Sequence, residues 1–227
     1  MFFLERAFDD PVFYFTVAVS VIFSIVLHEL AHGWAAIWQG DDTPRLSGHM
    51  TPDPITHMGP IGFGAVFLLG IGWGAMPVDP SRFRSRHGDA FVASAGPAMN
   101  LLLALISLSI YSVVFHQIMK QADPLSQVQR NVLSALFIFG WYNIVLTLLN
   151  LLPIVPLDGS RILASYHRGY DRWVYENQHV HQFLFIATLM IVLGLDRTPY
   201  GLFGISGTIA NAFVKLFGAG SPFVLVG

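Results

Sequence analysis

Two histidines four residues apart, with a glutamate directly after the first, are the residues of this chain best suited to do chemistry: His28-Glu29-Leu30-Ala31-His32. On a helix, positions i and i+4 share a face, so both imidazoles can be offered to one Zn²⁺ while Glu29 stands beside them to handle the proton of a bound water. The surroundings are unusual for such a set. Glu29 is the only Asp, Glu, Lys or Arg between Pro11 and Gly40, a run long and apolar enough to cross a bilayer. An ionised side chain in hydrocarbon costs about 2.5 kcal/mol or more on insertion scales, so an ionisable cluster there marks function by default. The blander reading is a polar patch that ties helices together.

Zinc that keeps a water at its fourth position needs a third protein ligand. The chain has no cysteine, so His, Asp or Glu must supply it. Asp158 is the best-placed candidate, within Asn150-Leu151-Leu152-Pro153-Ile154-Val155-Pro156-Leu157-Asp158-Gly159 at the end of a later charge-free stretch. Pro153 and Pro156 are expected to end a helix and leave an extended segment, from which the carboxylate turns toward a neighbouring helix. An Asp-Gly pair is also an ordinary turn signal, and spacing alone leaves both readings open.

The elements that must position these groups are membrane spans. Of 227 residues, 54% are hydrophobic and only 11% charged, against about 25% charged in soluble domains. Mean hydropathy is +0.58. The chain is therefore read as an integral membrane protein, one domain over residues 1–227, an all-α bundle of about 4–6 transmembrane helices. A near-neutral net charge of −2 with dispersed basic residues leaves no footprint for nucleic acid. The N-terminus lacks a basic leader region and is expected to be retained. Stretches free of charge mark candidate spans at 11–28 (continuing to Gly40), 54–78, 90–119, 131–157, 177–195 and 198–214. The second carries Gly59, Gly62, Gly64, Gly70, Gly72 and Gly74 with Pro60 and Pro77, which argues against a straight helix. A strand-like or re-entrant backbone, possible as a β-hairpin near residues 44–78, suits it better where protein or a water-filled cavity satisfies its polar groups. Glycines and Lys215 make the last stretch a tilted helix, a half-span or an interfacial segment. Four transmembrane helices and an indeterminate fifth are expected.

Three motifs in order, HELAH on an early helix, Gly96-Pro97-Ala98-Met99-Asn100 on a middle one and NLLPIVPLDG near the end of a later one, resemble the site-2 protease family of intramembrane zinc metalloproteases. Together they span residues 28–159. The resemblance implies that His28, His32 and Asp158 hold one Zn²⁺ per chain and that Glu29 is the general base. It places Asn150, and less directly Asn100, near the site, where an amide donor could stabilise the oxyanion. Either Asn could equally bond a neighbouring helix, and Gly96-Pro97 could serve close packing or a kink. The family has membrane-dipping strands between its first two motifs, and such an edge could receive an unfolding substrate. Many relatives also carry an extra helix before HExxH, or PDZ or cystathionine-β-synthase-type domains; this chain is read as a minimal core form.

Topology offers a separate check. His28, His32 and Asp158 reach one metal only if HELAH and LDG lie toward the same side, which requires that 54–78 not cross the membrane. That face then carries Arg45, Arg82, Arg84, Arg86, Arg161, Arg168 and Arg172, against Arg6, Lys120, Arg130 and Arg197 opposite. The positive-inside rule makes it cytoplasmic, with the plasma or inner membrane as the expected location. If the first helix ends at Gly40, the two histidines lie about 12 to 18 Å along its axis from that end. Expected partners are transmembrane protein substrates and the lipid bilayer, with homo-oligomerisation left open. His57 is expected to pack or join a polar network, and His179 and His181, two apart, diverge on a helix. The expected activity is regulated intramembrane proteolysis. Two alternatives remain: a transporter or channel with a His/Glu/Asp metal or proton site, and a catalytically silent relative that binds membrane proteins.

Overall fold

The computed structural model describes residues 3–120, 124–195 and 201–220. Among these the protein is helical and contains no strand. The helices are α1 (Pro11–Gln39), α2 (Pro54–Leu69), α3 (Gly88–Met119), α4 (Gln127–Asn150), α5 (Asp158–Tyr166), α6 (Arg168–Glu176), α7 (Gln178–Leu195) and α8 (Leu202–Leu216), with short helical turns at Phe3–Glu5, Arg6–Asp9, Thr43–Leu46 and Pro80–Arg82. Three of them, α1, α3 and α4, are long and apolar enough to cross a membrane. At 15 residues α8 reaches only about 22 Å, short of a bilayer core of about 30 Å, which fits the half-span reading. Of the expected spans, 177–195 forms α7, several of whose side chains lie outside the described set, and Arg197 lies outside the described residues.

Local signals fix the ends of these helices. Asp10 caps α1 by accepting from Phe13 N–H at 3.0 Å, Pro11 occupies its first turn, and Gly40 ends it at φ +99°. Ser126 and Gln129 form a reciprocal capping box at the start of α4. α3 and α4 run antiparallel in close register. Thr147 Oγ1 reaches Pro97 O, Ser107 Oγ donates to Leu136 O at 2.7 Å, and Gly140 packs on Leu108. Tyr111, Phe137, Leu133 and Val214 fill the core where α3, α4 and α8 meet.

The glycine-rich segment is re-entrant, but its descending limb is helical where strand-like backbone was expected. Residues 54–69 form α2, broken at Gly59, whose φ +62° and ψ 171° only glycine adopts readily. Pro60 lacks an N–H and so begins the second half without losing a bond. Gly59 makes the kink and Gly70 the tip, while Gly62 and Gly64 are carried within the helical second half. Gly70 ends the limb deep in the bundle, against Phe3, with its carbonyl accepting from Tyr142 Oη at 3.3 Å. The chain then returns without regular structure to Asp79, whose N–H donates to Asp41 Oδ2 at 2.7 Å beside the end of α1. Both ends of the segment thus lie at the Gln39 end of α1, as a common metal site requires.

The segment after α4 also differs from expectation. Residues 151–157 fold as compact turns, with Ile154 N–H on Leu152 O and Leu157 N–H on Ile154 O, and Asp158 opens a new helix. Gly159 makes this possible. A Cβ there would lie 2.3 to 2.5 Å from the backbone of Leu151 and Leu152, so the turn can fold flat against the end of α4 only with glycine.

Candidate metal centre and active site

His28 and His32 lie one turn apart on the buried face of α1, and Asp158 enters from the first residue of α5. His28 Nε2 is 3.0 Å from His32 Nε2 and 3.1 Å from Asp158 Oδ2, and His32 Nε2 is 3.3 Å from Asp158 Oδ1. A tetrahedral zinc with bonds of about 2.0–2.1 Å sets its ligand atoms about 3.3 Å apart, so this triangle has the right size. The ring nitrogens point the right way as well. His32 Nδ1 lies 2.7 Å from Val92 O, the usual outer hydrogen bond of a metal-ligating histidine, and as donor it leaves Nε2 as a lone-pair ligand. Two imidazole nitrogens and a carboxylate converge in a buried site, a donor set suited to a divalent cation. Among the described residues no other group of three His, Asp or Glu is so arranged.

Glu29 is 6% exposed and faces the ascending limb of the re-entrant segment. The limb can approach because its alternate residues are glycine. Gly70, Gly72 and Gly74 press toward Phe3, Ile25 with Met58, and Glu29 in turn, and a Cβ on Gly74 would stand 2.7 Å from Glu29 Oε1. From residues 71 to 78, among the described residues, the one backbone–backbone hydrogen bond is Ala75 N–H to His57 O. The alternation of glycine at 70, 72 and 74 is the sequence signal from which a close backbone approach could be found; what the limb approaches is set by tertiary packing.

α3 supplies the opposite wall. A Cβ on Gly96 would fall 2.4 Å from His28 Nε2 and 2.5 Å from His32 Nε2, so Gly96 keeps open the volume in which the donors converge. The close-packing reading of Gly96-Pro97 thus acquires a site-specific reason. One turn deeper, Asn100 is 1% exposed, and both polar atoms of its side chain are buried without a partner. Asn150 donates through Nδ2 to Leu146 O at 3.1 Å. Both asparagines line a cavity of about 470 Å³ together with His28, Glu29, His32, Asp158 and residues 70–76. His57 stays apart, its Nε2 at 2.7 Å from Thr51 O, in the polar role expected for it.

The model of peptidase family M50 matches residues 16–195. The chain belongs to that family. YwhC of Bacillus subtilis, provisionally named a zinc metalloprotease, is 36% identical over 149 residues, which are 65% of this chain and 67% of YwhC. Rip2 of Mycolicibacterium smegmatis, named in the same way, is 28% identical over 212 residues, 87% of this chain and 78% of Rip2. Rip2 of Mycobacterium tuberculosis (strain H37Rv) shares the same identity and coverage. No solved structure is significantly similar to the chain. It belongs to a family of zinc metalloproteases of the site-2 protease type and has a membrane-protein fold, and its His-His-Asp triangle fits the metal by size, chemistry and orientation.

Proposed function

We propose that this protein hydrolyses peptide bonds within or beside the transmembrane segments of membrane-protein substrates, and that it does so in regulated intramembrane proteolysis. One observation carries the reading. His28, Glu29, His32 and Asp158 are buried together among membrane-length helices, yet open into a cavity large enough for a length of extended peptide. His28, His32 and Asp158 hold the zinc, which when bound acidifies a water and polarises the scissile carbonyl. Glu29 takes the water's proton and returns it to the leaving amine. To Asn150, with one N–H beyond its bond to Leu146, and to Asn100, with an uncommitted amide, we assign donation to the carbonyl oxygen as charge develops on it. The sparsely bonded backbone of 71–78 offers hydrogen bonds to an unwound substrate along the same cavity.

The test compares wild type with Glu29→Gln on single-span substrates in liposomes, with zinc assayed in parallel. The Gln variant should retain about one zinc per chain and lose roughly 10²- to 10⁴-fold in cleavage rate, the usual contribution of a general base. Equal cleavage by both proteins would remove Glu29 from the mechanism. Substrate binding without cleavage by zinc-loaded wild type would instead favour a silent binding relative.

A further inference from the structure

Asp158 begins a nine-residue helix that leaves a run of turns, and its own sequence does not explain why its carboxylate should meet two histidines on another helix. Two contacts beyond the metal site join α5 to α3. Arg161 Nη2 bonds Asp89 Oδ1 at 2.5 Å, and Tyr166 stacks on His87 with ring centroids 4.6 Å apart and planes 16° apart. Asp158 and Arg161 are three apart and share a face of α5. Asp89, Val92 and Gly96 fall at i, i+3 and i+7 and share a face of α3. These three positions meet, in order, Arg161 of α5, His32 Nδ1 of α1 and the two imidazoles of HELAH. One face of α3 therefore touches both halves of the metal site.

We infer that the first three turns of α3 act as a template that sets the separation of the two half-sites, with the Asp89–Arg161 ion pair as the clamp that holds the Asp158 half in place. The clamp rests on Asp158 being a zinc ligand, as proposed above. Arg161 and Asp89 are positioning residues: they act on the metal through the orientation of α5. The bond is charge-assisted and runs from one guanidinium nitrogen to one carboxylate oxygen. His87 and Tyr166 restrain the far end of the same short helix, so α5 is held at two points along its length.

The experiment measures zinc affinity of the full-length detergent-solubilised protein by competition with a chromophoric chelator, so no step depends on proteolysis. Asp89→Asn and Arg161→Gln should each weaken zinc binding about 10- to 100-fold, the range typical of groups supporting a metal ligand. The exchanged pair, Asp89→Arg with Arg161→Asp, should recover most of that loss, and Arg161→Lys should fall between. Recovery on exchange separates a clamp from general damage to folding. Wild-type affinity in both single variants, or a double variant as weak as the sum of the singles, overturns the clamp. Asp158→Ala is the companion measurement. If it loses zinc while the single variants do not, the clamp fails and the ligand assignment stands; if it keeps wild-type affinity, the ligand assignment fails and takes the clamp with it.

Discussion

At the scale of single residues, the candidate metal centre is built as much from absent side chains as from present ones. HELAH states its chemistry openly, since two histidines at helical spacing with a glutamate between them have few other uses inside an apolar run. The partners of those residues are silent in the sequence. Val92 contributes only a carbonyl to His32, and Gly96 contributes only the lack of a Cβ. Gly96→Ala is therefore a sharp probe. Its new methyl would lie 2.4 to 2.5 Å from Nε2 of His28 and of His32, so either α3 or the HELAH face of α1 must move. Zinc affinity should fall at least about tenfold, measured by chelator competition, and because the methyl meets the same two imidazoles in the apo protein, its melting temperature should fall as well. An Ala variant with wild-type affinity would show that the α1–α3 approach is looser than these distances state.

At the scale of elements, the re-entrant segment shows what a sequence pattern can and cannot convey. Glycine and proline density correctly excludes a straight span, but it does not distinguish a helix with a break from a strand, because one glycine with positive φ suffices to restart a helix. The decision lies with tertiary partners far away in sequence: Tyr14 Oη on Phe67 O at 2.8 Å, Tyr142 on Gly70, and Asp41 on Asp79. Asp41 is the anchor at the aqueous end. Its fully buried carboxylate accepts from the N–H of Asp79 at 2.7 Å and from the N–H and Oγ1 of Thr43. Burial alone would raise its pKa; these bonds, with the charge of Arg82, hold it below the ordinary value of 3.8. A depressed pKa contributes stability that is present above the unfolded value and is lost as pH falls through the folded one. The return limb should therefore stay latched at neutral pH and loosen in acid. Hydrogen exchange of residues 70–79, read by mass spectrometry, should be faster at neutral pH in Asp41→Asn than in wild type. The two proteins should converge as wild type is acidified through the carboxylate range. Matching exchange in the two at neutral pH would mean that Asp41 does not hold the limb.

At the scale of the whole molecule, the triangle of His28, His32 and Asp158 constrains topology more tightly than hydropathy does. The metal site requires an even number of crossings between HELAH and the LDG turn, and α3 with α4 supplies two only because residues 54–78 go in and come back. Packing also places a charge that the sequence left unassigned. His116 near the end of α3 bonds the carbonyl of Phe217, which sets Lys215 at the far end with Lys120 and Arg130. Seven arginines on the active-site face then oppose Arg6, Lys120, Arg130 and Lys215, and on the positive-inside rule this bias predicts a cytoplasmic active-site face. The lack of cysteine allows a direct check with single cysteines at exposed positions that leave these charges intact. Ser47→Cys and Ser85→Cys flank the re-entrant segment, and Met119→Cys and Leu216→Cys lie at the other end. A membrane-impermeant maleimide should label the second pair in intact cells and the first pair only after permeabilisation. Labelling of all four with the opposite order would reverse the orientation and leave the fold standing. Labelling of Ser47→Cys and Ser85→Cys from opposite sides would be graver: residues 54–78 would then cross, and Asp158 could not reach the histidines from the side on which α4 ends.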